Sequence, residues 1–95
     1  MIILNKEEKL VDDYVVFDLE TTGLNPLESK IIEIGALKYK DNQLINNFSV
    51  LINPECDIPE IITNITGIDN ETIKYEKTIK EVMPKFIEFI EDLIN

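Results

Sequence analysis

Two carboxylates stand two residues apart in Val16-Phe17-Asp18-Leu19-Glu20. In a strand, side chains two apart leave the same face, roughly 6–7 Å from each other along the backbone, which is close enough to converge on one cation. A carboxylate in or beside a buried strand is costly unless it is paired or bound to a metal, and this run holds no lysine or arginine to pair with it. Spacing alone leaves a second arrangement open, in which the strand ends at Leu19 and both acids face water, because D-x-E in isolation is a weak motif. The residues that follow add chemistry. Thr21 and Thr22 offer N–H and hydroxyl donors beside the acids, where a phosphate or a terminal sugar would dock, and Gly23 permits a tight turn and close approach of the backbone to a ligand. The same three residues also suit an ordinary turn leaving a strand.

Composition removes several other chemistries. The 95 residues contain no histidine and one cysteine, Cys56, so there is no internal disulfide, no zinc cluster and no Ser/His/Asp triad. Nine basic residues against nineteen acidic ones give a net charge of −10, the opposite of the basic footprint that grips nucleic acid through phosphates alone. The balance is compatible with a nuclease whose acids hold divalent cations, because the metal then supplies the positive charge that meets the phosphate. Met1-Ile2-Ile3-Leu4 breaks off into Asn5-Lys6-Glu7-Glu8-Lys9, too short for the apolar stretch of a signal peptide, so a cytoplasmic protein with no membrane partner is expected by default.

Elements must position the acids. Tyr14-Val15-Val16-Phe17-Asp18-Leu19 reads as a strand mostly buried on both faces. Ile31–Tyr39 and Ile45–Ile52 read as two further strands joined by the polar turn Lys40-Asp41-Asn42-Gln43. The short links favour a three-stranded antiparallel meander, since a parallel connection needs a crossover of about a dozen residues. After Pro59 the period becomes helical through Ile61, Ile62 and Ile65, with Gly67 placed for a C-terminal cap. A second helix opens at Thr78-Ile79-Lys80-Glu81, where Thr78 and Glu81 can form a capping box. Its apolar face carries Val82, Met83, Phe86, Ile90 and Leu93, and Pro84 is expected to delay or kink it near Met83. The later acids Asp69, Glu81, Glu88 and Asp92 read as solvated charge. Residues 1–95 make one domain, small enough for its core to be marginal unless further sequence or a partner completes it.

Three ordered segments carry a resemblance: Val16-Phe17-Asp18-Leu19-Glu20-Thr21-Thr22-Gly23-Leu24, then Ile31-Ile32-Glu33-Ile34-Gly35-Ala36, then Ile65-Thr66-Gly67-Ile68. Together they resemble the N-terminal half of DnaQ-like DEDD 3′ to 5′ exonucleases, above all the proofreading domains of bacterial DNA polymerase III, either the epsilon-type subunit or the domain built into Gram-positive polymerases. The resemblance implies an α/β, ribonuclease H-like exonuclease fold, here truncated to the three-stranded meander plus C-terminal helices. It implies that Asp18 bridges two divalent ions, Mg2+ or Mn2+, that Glu20 binds one of them, that Thr22 and Gly23 line the pocket of the 3′-terminal nucleotide, and that Thr66 is a further substrate contact. The expected reaction is hydrolysis of the last phosphodiester of single-stranded DNA, releasing nucleoside monophosphates, in a protein associated with a DNA polymerase.

The family's second-motif aspartate and the third motif's histidine or tyrosine and aspartate are expected beyond Asn95, so the chain alone should be weakly active or inactive. In the family fold the first strand pairs on its far side with a fourth, parallel strand. Without it, Val15, Val16 and Phe17 are expected to form an open apolar edge prone to self-association. Two alternatives stay in view: a non-catalytic module that binds a partner by strand addition, and an RNA-directed exonuclease of the same family.

Overall fold

A computed structural model describes residues 2–5, 13–23, 25 and 27–94. Leu24 and the side chains of Asp92 and Leu93 lie outside the described residues. Four strands, β1 (Ile2–Asn5), β2 (Tyr14–Thr21), β3 (Ile31–Lys40) and β4 (Gln43–Leu51), form one antiparallel sheet in sequential order. Three helices follow: α1 (Glu60–Thr66), α2 (Asn70–Ile73) and α3 (Ile79–Ile94).

The expected meander is present as β2, β3 and β4. Its second turn is tighter than the sequence suggested, because Asp41 and Asn42 both adopt positive φ, at 52° and 60°, and close a two-residue hairpin whose twist matches the flanking strands. The Asp41 N–H also donates to Asp13 Oδ1 at 3.0 Å, and Tyr14 stacks on Tyr39 with ring centroids 4.9 Å apart, so the start of β2 is fastened to the hairpin end.

The open edge expected at Val15–Phe17 is not there. β1 pairs with β2 from Ile2 opposite Phe17 to Asn5 opposite Tyr14. A row of unpaired backbone donors and acceptors favours capture of any strand-forming segment within reach, and the apolar N-terminal run supplies one. β1 stops opposite Phe17, and no described strand lies beside Asp18–Thr21 on that side.

Alternation along the strands sorts the two sheet faces. Val15, Phe17 and Leu19 of β2, Ile34 and Ala36 of β3, and Phe48 and Val50 of β4 meet Val82, Phe86, Phe89 and Ile90 of α3. Phe86 is the hub, with Phe17 edge-on at 5.3 Å and Phe48 tilted at 5.6 Å between centroids. Burying each such side chain contributes about 1.5–3 kcal/mol. Lys38 is buried on the same face, its Nζ 4.8 Å from the centre of the Phe89 ring. A second cluster joins Ile32 to Ile58, Ile62, Ile68 and Ile73, with Leu51 packed beside it, and so seats α1 and α2 at the end of the sheet near β3's start.

α1 ends as anticipated: Gly67 takes φ 79° and its N–H donates to the Thr63 carbonyl at 2.8 Å. α3 departs from expectation, for it begins at Ile79 and runs through Pro84 unbroken. Pro84 lies on the exposed side, so the carbonyl one turn earlier that loses its donor can bond water. The Glu81 carboxylate accepts from the Thr78 N–H at 3.2 Å and from its hydroxyl at 3.3 Å, one arm of the anticipated box. The single turn α2 is an addition. Asp69 caps it by accepting from the Thr72 N–H at 2.8 Å and from the Thr72 hydroxyl at 2.7 Å, so this acid has a structural duty and is more than solvated charge.

Candidate active site

β2 carries Asp18 and Glu20 on the sheet face turned away from α3. Strand alternation dictates this, since Phe17 and Leu19 between them are drawn into the core. The strand does not end at Leu19. It continues to Thr21, so the two acids project from the same ladder instead of from a frayed terminus. Asp18 is exposed, and its Oδ1 accepts from the Leu19 N–H at 3.0 Å; Glu20 is half-buried.

Register completes the surroundings. Gly35 lies opposite Asp18, and a Cβ built on it would meet nothing within 4 Å, so the ladder leaves open space beside the carboxylate. A shallow hollow of about 410 Å3 covers this part of the face, lined by Val16, Asp18, Gly35, Leu37, Asn47 and Ser49 among others. Glu33 lies directly opposite Glu20. Cross-strand partners share a face, so a third carboxylate joins the patch, and like charges in this relation repel. In the sequence Glu33 stands within a strand and one of the three family-like segments, with nothing local to place it beside Glu20. The signal that finds it is the pairing register, which runs unbroken from Tyr14 opposite Tyr39 to Glu20 opposite Glu33 and shifts only beyond Glu20.

The donors anticipated next to the acids are mostly committed to the chain itself. Thr22 is buried; its N–H donates to the Lys30 carbonyl at 2.9 Å and its Oγ1 accepts from the Lys30 N–H at 3.0 Å. Thr21 Oγ1 donates to the Gly23 carbonyl at 2.7 Å. Gly23 is not among the residues with positive φ, and a Cβ there would touch Ser29 Oγ at 3.4 Å, a tight but ordinary contact, so its permissive backbone is not what this turn draws on. Thr66 sits at the C-terminus of α1 with its hydroxyl donating to the Ile62 carbonyl at 2.8 Å and accepting from the Ile68 N–H at 3.1 Å. It is tied to the second apolar cluster through those neighbours, on a different element from the acids.

The carboxylates fit one share of a magnesium or manganese site. They are hard oxygen donors on one exposed face with room beside them, the ligand type these ions require. Among the described residues, no group of three or more His, Cys, Asp or Glu side chains comes together closely enough to hold a metal ion by itself. Nor is any described helix long and apolar enough to cross a membrane, which says nothing of a β-barrel.

Comparison with known proteins bears on this arrangement. The chain is 46% identical over 90 residues to the PolC-type DNA polymerase III of Clostridium perfringens, a match covering 95% of this chain and 6% of that polymerase. It is 38% identical over 92 residues to the DNA polymerase III epsilon subunit of Aquifex aeolicus, covering 96% of this chain and 46% of that subunit. The chain thus spans a small fraction of the polymerase and under half of the subunit. Among solved structures, exonuclease X in complex with 5′ overhanging duplex DNA superposes with a TM-score of 0.68 at 26% identity, over 76% of this chain and 42% of that one. A full-length 3′-exonuclease superposes with a TM-score of 0.70 at 22% identity, over 81% of this chain and 28% of that one, which shows the same fold. These likenesses agree with a truncated ribonuclease H-like exonuclease fold. Residues 15–94, from the second residue of β2 to the end of α3, match the exonuclease family model RNase_T, and the chain belongs to that family.

Proposed function

We propose that this chain carries the first carboxylate pair of a divalent-metal-dependent 3′ to 5′ exonuclease that shortens DNA from its 3′ end and releases nucleoside monophosphates, the activity of a proofreading domain joined to a DNA polymerase in the cytoplasm. The observation that carries the reading is the projection of Asp18 and Glu20 from one open face of β2, with Gly35 opposite leaving room for a ligand.

A bound divalent ion supplies the positive charge that a phosphodiester needs in a chain of net charge −10. The chain's own residues do the rest of what is described. Asp18 and Glu20 present oxygen donors from a strand held by β3 on one flank and by α3 beneath. Glu33 deepens the negative potential beside them, which favours a cation at this face. The Thr22–Lys30 bond pair fixes where the chain leaves β2, so that the turn beyond the acids has a defined base. With the Thr21 and Thr66 hydroxyls donating within the chain and the Thr22 hydroxyl accepting from Lys30, these residues would shape the substrate pocket chiefly by position and backbone, alongside Gly23. Two donors from one strand are a partial set, and the remaining acids of a working site come from sequence or a chain outside these residues.

The reading is tested in two ways. Mn2+ titrated into the chain should bind at least tenfold more weakly to Asp18→Ala and to Glu20→Ala, and equal binding by both variants would sink it. Single-stranded DNA labelled at its 5′ end should give a ladder of labelled products shortened from the 3′ end with Mg2+ or Mn2+, by this domain joined to its following sequence, and none after Asp18→Ala. A matched RNA oligonucleotide in the same assay separates a DNA enzyme from an RNA-directed relative. The non-catalytic alternative loses ground, because the edge it would use at Val15–Phe17 is already occupied by β1.

A further inference from the structure

β2 is paired unequally on its two flanks. β3 follows it for its whole length, from Tyr39 opposite Tyr14 to Ile31 opposite Thr21. On the other flank β1 pairs over four residues, from Asn5 opposite Tyr14 to Ile2 opposite Phe17. Beyond Phe17 no described strand lies along that flank, so the backbone of Asp18–Thr21, the stretch that carries both acids, has an open edge there.

Asp18 and Glu20 are a partial donor set, and the described residues bring no sufficient group of ligands to them. β3 closes one flank of β2, which leaves the flank shared with β1 as the place where another backbone can be laid directly beside the acids. Strands usually run about five to six residues. Only Asp18–Thr21 is free, so a strand of ordinary length along this edge overlaps Phe17 and Val16, which β1 already pairs. Two strands cannot bond the same backbone groups at once. β1 is the weaker competitor, being short, terminal and joined to one neighbouring strand, and such segments open well before the rest of a fold.

We propose that β1 is a placeholder, covering the flank of β2 until an extended segment from the rest of the nuclease domain displaces it. The proposal rests on the reading of the site as one completed from outside these residues. Register supplies the discrimination. β1 keeps Val15–Phe17 from capturing unrelated strands, and it yields to a longer segment that also pairs beside Asp18–Thr21, where β1 does not reach. Completion of the acid site and release of β1 are then one event, because both use the same edge.

Locking β1 in place tests this. Ile3 and Val16 are direct cross-strand partners, at a separation that a disulfide can bridge. The 95-residue chain with Ile3→Cys and Val16→Cys, and with Cys56→Ser to remove its own thiol, should close an intramolecular disulfide on oxidation. The probe is a polypeptide of about 100 residues from the Clostridium perfringens polymerase, the stretch following its match to this chain, long enough to complete a domain of ordinary size. Calorimetric titration in EDTA keeps metal binding out of the measurement. The probe should bind the reduced variant as it binds the parent, and the oxidised variant about tenfold or more weakly, because an edge that cannot open has no competent fraction. Ile3→Pro, which disfavours strand pairing, should bind the probe more tightly than the parent does. An oxidised variant that binds as tightly as its reduced form, or a probe that binds neither the parent nor Ile3→Pro, overturns the proposal. Mn2+ titration of Asp18→Ala and Glu20→Ala reports on the metal site separately, so the failure of one reading is distinguishable from the failure of the other.

Discussion

Replacing Glu33 by glutamine should make this domain more stable. Glu33 and Glu20 are direct cross-strand partners on β3 and β2, both half-buried. Opposed Cβ atoms in an antiparallel pair lie about 4.5–5.5 Å apart, and like charges so placed cost roughly 0.2–1 kcal/mol. Coulomb's law at about 5 Å gives near 0.8 kcal/mol at the dielectric of water and near 3 kcal/mol at an effective value of 20, so partial burial puts the repulsion at the upper end of that range. Glu33→Gln keeps the shape and removes one charge, and about 0.5–1 kcal/mol should be gained. For a domain of this size that is a rise of about 2–8 °C in melting temperature. Thermal unfolding at low ionic strength should show it, and in about 1 M salt, where the screening length falls to about 3 Å, most of the gain should vanish. Added Mg2+ should raise the melting temperature of the parent more than that of the variant, because a cation relieves the same repulsion. A variant no more stable than its parent at low salt, or a gain that high salt leaves intact, would refute the account.

Asp69 is held below the ordinary aspartate value of 3.8 by the Thr72 hydroxyl first and then by the Thr72 N–H. A depressed folded value stabilises fully above the ordinary one and loses its effect as pH falls through it. Asp69→Ala should therefore melt lower than the parent at neutral pH, with the gap closing in acid; a gap constant with pH in thermal melts would count against the cap. Gly67→Ala should cost about 1 kcal/mol or slightly more in urea unfolding, because an L side chain is strained at φ 79° although a Cβ there meets nothing within 4 Å. A loss of only a few tenths would show that the helix end relaxes.

The sequence announced what local chemistry encodes. Apolar, β-branched runs at Val15–Phe17 and Ile31–Ile34, a polar turn at Asp41–Asn42 and glycine after Ile65-Thr66 are short-range signals, and the meander and the end of α1 follow from them. The carboxylate pair was legible for the same reason, since two residues of one strand share a face whatever lies around them. Glu33 was not legible as a neighbour of Glu20, because that relation depends on the register of the whole β2–β3 ladder. β1 was missed because Ile2-Ile3-Leu4 carries too few residues to signal a strand, and only the open flank of β2 gives it a partner. Pro84 misled because its cost depends on whether the orphaned carbonyl faces water, which is a property of the packed helix. The threonines misled differently. Their donors are plain from residue type, while the folded chain spends the Thr21 and Thr66 hydroxyls and the Thr22 N–H on its own turns.

The Thr22–Lys30 bond pair has a consequence for how this domain can vary. Two hydrogen bonds tie the chain together at the points where it leaves β2 and approaches β3. What lies between them is a loop with a closed neck. Lengthening such a loop adds only a slowly growing closure cost, about 0.6 kcal/mol per doubling, and the change does not reach the ladder below the neck. The segment can therefore be rebuilt, enlarged or exchanged without sliding Glu20 past Glu33 or Asp18 past Gly35. The clamp separates the part of the surface free to diversify from the part whose spacing must not move.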